Sequence, residues 1–127
     1  MRVALFDTNI LIDHLKGKHE ATLTLTQCIK SGIQPACSVI SEIELFCGIR
    51  PEEESQFELF ISGFEMVEVN TEIAKIAGMY MNRYRKGNGI NMADAIIAAS
   101  AIYLEAKLYT LNTKHYPMKD IKAIRPY

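Results

Sequence analysis

The first apolar run, Val3 to Phe6 (VALF), is short and unbroken, the pattern of a strand buried on both faces, and it ends on the carboxylate of Asp7. The next stretch, TNILIDHLKG, changes period. Ile10, Leu11 and Leu15 fall on one helical side, with Thr8 as the expected cap and Gly17 as the stop. EATLTLTQCIKSG repeats apolar residues at Ala21, Leu25, Cys28 and Ile29 and predicts a second helix ending at Gly32, and IQPACS predicts a second strand. VISEIELFCGI is helical by the spacing of Ile40, Ile43, Phe46 and Cys47. PEEESQFELFISGF opens with Pro51 at a favoured first helical position, and Glu52, Glu53 and Glu54 read as a solvated first turn that suits the helix dipole. EMVEV alternates as a strand does.

TEIAKIAGMYMNRYRKG predicts a long amphipathic helix opening at Thr71 and carrying Arg83, Arg85 and Lys86 in its last turns. MADAIIAASAIYLEA predicts a helix of small residues able to lie close against a sheet, and the chain closes with a strand LYTL, a loop NTKHYPMKD and a strand IKAIRP. Strands alternating with helices or helix pairs imply an α/β fold with a mostly parallel central sheet of about five strands, flanked by helices on both faces. There is no internal repeat and no linker, so residues 1–127 are read as a single domain. In such sheets ligands sit beyond the carboxyl ends of the strands, where successive connections diverge. Asp7 stands at such a place.

Composition narrows the function classes. A chain of 127 residues, 49% hydrophobic and 23% charged, has the make-up of a folded globular protein. Its apolar runs are too short to span a bilayer, and its N-terminus lacks the features of a secretory signal, so no membrane partner and a cytoplasmic location are expected. Cys28, Cys37 and Cys47 are odd in number and widely spaced, which encodes neither a disulfide framework nor a thiolate zinc site; they are expected to be buried or half-buried thiols. The net charge of −1 gives no global pull toward nucleic acid. A polyanion partner therefore has to be held by a local patch or through metal ions.

Asp7 has two candidate companions on elements that converge on one sheet edge: Glu44, on the helix after the second strand, and Asp94, one turn into the small-residue helix. Two carboxylates ~5 Å apart repel by roughly 3 kcal/mol at an effective dielectric near 20. Such a cluster either raises its pKa values or takes up a cation. An all-oxygen set with no histidine pair at metal spacing points to Mg²⁺ or Mn²⁺. A hard ion so held suits phosphodiester hydrolysis.

Simpler roles compete at each position. Asp7 is a good helix cap. Asp94 follows Asn91 by three residues, the spacing of a cap pair. Only one of Glu42 and Glu44 can face a site, because residues two apart on a helix point about 200° away from each other, and periodicity does not choose between them. His14, His19 and His115 read as surface or loop residues, with His115 near enough to Asn112 to reach a phosphate. Arg83, Tyr84, Arg85 and Lys86 mix cations with an aromatic, which suits either a helix C-terminus or contact with RNA.

Four stretches together carry a resemblance: FDTNILID, SVISEIELFCG, MADAIIAASA and LYTLNTKHY, in this order and spacing. They are similar to the sequence blocks of PIN domains, and most similar to the VapC-like toxin ribonucleases of toxin–antitoxin pairs. The resemblance spans nearly the whole chain. It implies a metal-dependent endoribonuclease that hydrolyses RNA phosphodiester bonds with a metal-activated water, usually a homodimer, and held in check by a separate antitoxin protein. By position it makes Asp7, Glu44 and Asp94 the metal-binding acids. It places the family's fourth site residue on Asn112, a neutral amide that leaves open whether one ion or two is bound. Thr8 matches the family's hydroxyl after the first acid, and Asn9 completes the common DTN. For a second copy of the chain, the stripe Tyr80, Met81, Tyr84 and the long helix before it are the candidate interface. An Asp7→Asn change is expected to abolish cleavage and, by relieving repulsion, to leave the fold intact or firmer.

Two other classes remain open on the residues alone. One is a catalytically weak RNA- or protein-binding module on the same scaffold, short of charge at Asn112. The other is a phosphotransfer domain with Asp7 as covalent nucleophile, disfavoured because Asn9 stands where that chemistry wants a second acid.

Overall fold

The computed structural model describes residues 2–127, with the backbone alone at 85–88, so the side chains of Arg85 and Lys86 lie outside the described residues. The strands are β1 (Val3–Phe6), β2 (Gln34–Ser38), β3 (Glu65–Val67), β4 (Lys107–Tyr109) and β5 (Ala123–Ile124). They form one sheet in the order β3-β2-β1-β4-β5, with every neighbouring pair parallel. The helices are α1 (Thr8–Leu15), α2 (His19–Lys30), α3 (Val39–Gly48), α4 (Glu54–Ile61), α5 (Thr71–Asn88) and α6 (Met92–Leu104), and short 3-10 turns cover Pro51–Glu53 and Thr113–His115.

The central position of β1 explains its unbroken apolar run. Leu5 pairs in register with Ala36 and Leu108, and all three point to one face, where Ile73 and Ala77 of α5 and the apolar residues of α6 cover them. Ala4, Phe6 and Cys37 point to the other face, against Ile10 and Leu11 of α1, Ala21 and Leu25 of α2, Leu45 of α3 and Phe57 of α4. The side-chain period of two in a strand thus divides the core into two layers, one on each face. The small residues Ala95, Ala98, Ala99 and Ala101 let α6 sit low on the sheet, and the hydroxyl of Ser100, buried with them, donates to the Ile96 carbonyl at 2.8 Å.

Several expectations need correction. The cap of α1 is Asp7, whose carboxylate accepts from the Thr8 amide, and the cap of α5 is Asn70, whose side chain accepts from Ile73. The predicted six-residue last strand shrinks to two residues, since β5 is an edge strand with one neighbour. On α5, Tyr80 is 4% exposed and donates to Asp120 Oδ2 at 2.9 Å, so it belongs to the core, while Met81 and Tyr84 are partly buried against it. Cys28 and Cys37 are buried, but Cys47 is exposed. His14 is half-buried rather than free; it stacks on Phe60 with centroids 4.7 Å apart and shares a 2.8 Å hydrogen bond with Thr22. Among the described residues, no helix is long and apolar enough to cross a membrane.

Candidate active site

The strand order reverses direction between β1 and β4, and Asp7 leaves β1 at that crevice. Its amide donates to the Tyr109 carbonyl at 2.9 Å, so the backbone of Asp7 still belongs to the sheet while its side chain starts α1. Three donors meet the carboxylate. Oδ1 accepts from the Thr8 amide at 2.7 Å, and Oδ2 accepts from the hydroxyls of Thr110 at 2.7 Å and Tyr116 at 3.0 Å. The cap and the site residue are therefore the same group, and the two readings of Asp7 do not compete.

Glu44 reaches the same edge from α3. Its Oε1 lies 2.7 Å from the Thr8 hydroxyl, which also lies 2.8 Å from the hydroxyl of Ser41. Thr8 has one proton to give, and the carboxylate is the stronger acceptor, so Thr8 donates to Glu44 and accepts from Ser41. Glu42, two residues away, turns elsewhere, and its charge acts on the thiol of Cys37 instead. The helical geometry that left two candidates is resolved by contact with Thr8.

Asp94 arrives on the first turn of α6, where Asn91 Oδ1 caps the Asp94 amide at 2.8 Å. One of its oxygens, Oδ2, is buried without a hydrogen-bond partner. His115 Nδ1 lies 3.3 Å away, within ion-pair range but without the alignment of a hydrogen bond. Burial pushes the Asp94 carboxyl above the ordinary carboxylate range, and the charges of Asp7 and Glu44 push it further, against the pull of an Asn91 backbone hydrogen bond and of His115. The three acids thus act on one another across this edge. The hydroxyl of Tyr116 is also pushed up, by burial first, then by the charges of Asp7, Asp94 and Glu44 and its bond to Asp7, so it stays a donor.

Asn112 stands apart from the acids in kind. Its residue is exposed, and its tie to the site is its backbone amide, which donates to the Thr110 hydroxyl at 3.0 Å. Thr110, Tyr116 and Ser41 are the members of the site that sequence reasoning missed. A hydroxyl has no sequence signature of its own, although the position of Thr110 directly after β4 is the counterpart of Asp7 after β1.

The donor set suits a hard divalent ion: three carboxylates, with a buried and unpartnered oxygen on Asp94 as the atom that asks for a cation. As the side chains stand, no group of three or more His, Cys, Asp or Glu among the described residues is drawn close enough to hold an ion, and Glu44 is hydrogen-bonded to Thr8. The residues fit such an ion by the chemistry of their oxygen donors.

A family model described as the PIN domain matches residues 4–121. Ribonuclease VapC19 of Mycobacterium tuberculosis is 39% identical over 115 residues, covering 90% of this chain and 92% of that protein. Among solved structures, a toxin-antitoxin complex from Klebsiella pneumoniae superposes with a TM-score of 0.81 at 31% identity over 98% of both chains. DNA-bound VapBC from Salmonella typhimurium superposes with a TM-score of 0.85 over the full length of both chains, at 24% identity.

Proposed function

This chain belongs to the PIN domain family, and from that membership we propose that it is an endoribonuclease, the toxin of a toxin–antitoxin pair, that cleaves RNA with Mg²⁺ or Mn²⁺. The observation that carries the reading is the buried, unpartnered oxygen of Asp94 beside the charges of Asp7 and Glu44, in a chain 39% identical to a ribonuclease. Asp7, Glu44 and Asp94 hold the ion. When bound, it offsets the charge that builds on a phosphodiester and lowers the pKa of water.

The chain's own residues prepare that site. Asp7 caps α1 and Asp94 lies in the first turn of α6, where the helix starts present partial positive charge to both side chains. Thr8 holds Glu44 by one hydrogen bond and can release it, and Ser41 holds Thr8 in turn. Thr110 and Tyr116 fix the plane of Asp7. Asn112 assists from the rim, where an exposed amide can meet the RNA backbone. A covalent role for Asp7 is disfavoured, because the residue is buried, 7% exposed, and both carboxylate oxygens already accept hydrogen bonds.

The partners that go with this reading are RNA as substrate, a separate antitoxin chain, and a second copy of the protein, acting in the cytoplasm. The antitoxin is supported by the toxin-antitoxin complex among the structural relatives. The test is cleavage of a structured RNA pool with Mg²⁺, with Mn²⁺ and with chelator, beside an Asp94→Asn control. Metal-dependent cutting that disappears in the control is the expected result. Cutting that survives chelation rules the reading out, and retention of RNA without any metal-dependent product favours the binding module.

A further inference from the structure

We infer that Tyr116 is a positioning residue that leaves Asp7 a single open oxygen and thereby sets which divalent ion the site prefers, an inference that rests on the nuclease reading of this edge. A carboxylate offers about four lone-pair directions, two on each oxygen. Three of them on Asp7 are taken: one on Oδ1 by the Thr8 amide, and both on Oδ2 by the hydroxyls of Thr110 and Tyr116. The direction left is on Oδ1.

None of the three donors is free to leave. The Thr8 amide is fixed by the first turn of α1. The Thr110 hydroxyl receives the Asn112 amide at 3.0 Å, so its own proton is committed to Asp7. Tyr116 is 5% exposed and belongs to the core layer shared with α5 and α6, and the turn Thr113–His115 delivers it there. A phenylalanine fills the same core volume. The hydroxyl is what the core does not need, and it ends 3.0 Å from Oδ2.

The consequence for an ion follows from coordination chemistry. Mg²⁺ demands close, near-octahedral ligands and takes carboxylates one oxygen at a time, whereas Ca²⁺ accepts six to eight oxygens and readily takes both oxygens of one carboxylate. With Oδ2 saturated, Asp7 is closed to the second mode. Removal of the Tyr116 hydroxyl opens one direction on Oδ2 and loosens the carboxylate, which Thr8 and Thr110 then hold with two bonds in place of three. Small octahedral ions then lose a pre-set ligand, and Ca²⁺ gains a two-oxygen one.

The experiment is calorimetric titration of the purified full chain with Mn²⁺ and with Ca²⁺, for wild type, Tyr116→Phe and Thr110→Val, with folding of each checked by circular dichroism. Loss of an outer hydrogen-bond partner weakens metal binding by about 10-fold or more. The expected result is therefore an Mn²⁺ Kd raised about 10-fold in Tyr116→Phe with the Ca²⁺ Kd unchanged or lowered, so that the preference moves toward Ca²⁺. Thr110→Val removes the other hydroxyl from the same oxygen and is expected to move the preference the same way, which keeps the test decisive if one variant fails to fold. Equal weakening of both ions, or an unmoved preference, overturns the role of Tyr116 while leaving the nuclease reading standing. A folded wild type that binds neither ion overturns that reading, and this inference with it.

Discussion

Asp94→Asn isolates the tension in the metal-free site, because it removes a charge while keeping the shape of the side chain. The amide that replaces Oδ2 is also buried and polar, so what the change relieves is the extra cost of a charged, unpaired oxygen together with repulsion from Asp7 and Glu44, about 1–3 kcal/mol. Against this, the substitution forfeits a favourable acid in the first turn of α6, about 0.3–1 kcal/mol, and a contact with half-exposed His115 worth about 0–1 kcal/mol. The balance is a gain of roughly 1 kcal/mol, which for a chain of this length is a rise in Tm of roughly 3–4 °C. The gain also has a pH signature. The Asp94 pKa is raised in the folded state, so the protonated form is the stabilised one, and its contribution is complete below about pH 4 and lost as pH rises through the folded value. The advantage of the asparagine variant should therefore grow from pH 4 to pH 7. Thermal unfolding in chelator and in excess Mn²⁺ reads both effects: wild type should rise with metal and the variant should not. A variant that melts below wild type in chelator, or that keeps the full rise with Mn²⁺, refutes the reasoning.

Thr8→Val leaves Glu44 without its anchor and the buried Ser41 hydroxyl without its acceptor, and should cost about 1–3 kcal/mol, while Thr8→Ser should stay within about 1 kcal/mol of wild type; urea unfolding of the pair decides it. Burial of Cys37, aided by the charge of Glu42, pushes its thiol up to about 12. Its contribution is therefore complete below about pH 8.5 and lost as pH rises toward 12, and urea midpoints between pH 9 and 11 should fall more steeply in wild type than in Cys37→Ala. Glu105 closes α6 with φ 52, a left-handed conformation that costs a side-chain-bearing residue about 1–2 kcal/mol, so Glu105→Gly, far from the acids, should raise stability by roughly 0.5–1 kcal/mol; a thermal melt checks it.

Asp7, Glu44 and Asp94 could be picked out as candidates because charge at a strand end is anomalous in an otherwise apolar run, and because four short motifs in order carry a family resemblance. Period-two and helical spacing also gave the two-layered sheet, since each strand residue has to choose a face. Sequence spacing did not say what a helical face meets. Tyr80, Met81 and Tyr84 form a true stripe, but Tyr80 is buried in the chain's own core and Met81 and Tyr84 lie only partly open beside it. Nor could it foresee that Asp7 accepts from three donors. Those bonds reverse the expected effect of Asp7→Asn: an amide there turns a donor toward Thr8, or toward Thr110 and Tyr116, and the lost acceptor outweighs the relief of repulsion. Hydrogen-bonded hydroxyls distant in sequence were invisible for the same reason, since what selects them is proximity in space.

The span of those bonds bears on how the protein is made. Asp7 is bonded to Thr110, 103 residues later, and to Tyr116, 109 residues later, and its strand is paired on one side by β4. A ribosome adds roughly 5–20 residues each second, so about 5–20 s separate the synthesis of Asp7 from that of Tyr116. Throughout that interval the growing chain lacks the strand and the hydroxyls that shape its acidic edge. The edge built around Asp7 therefore cannot assemble until the chain has been made as far as Tyr116, however early its first acid is synthesised.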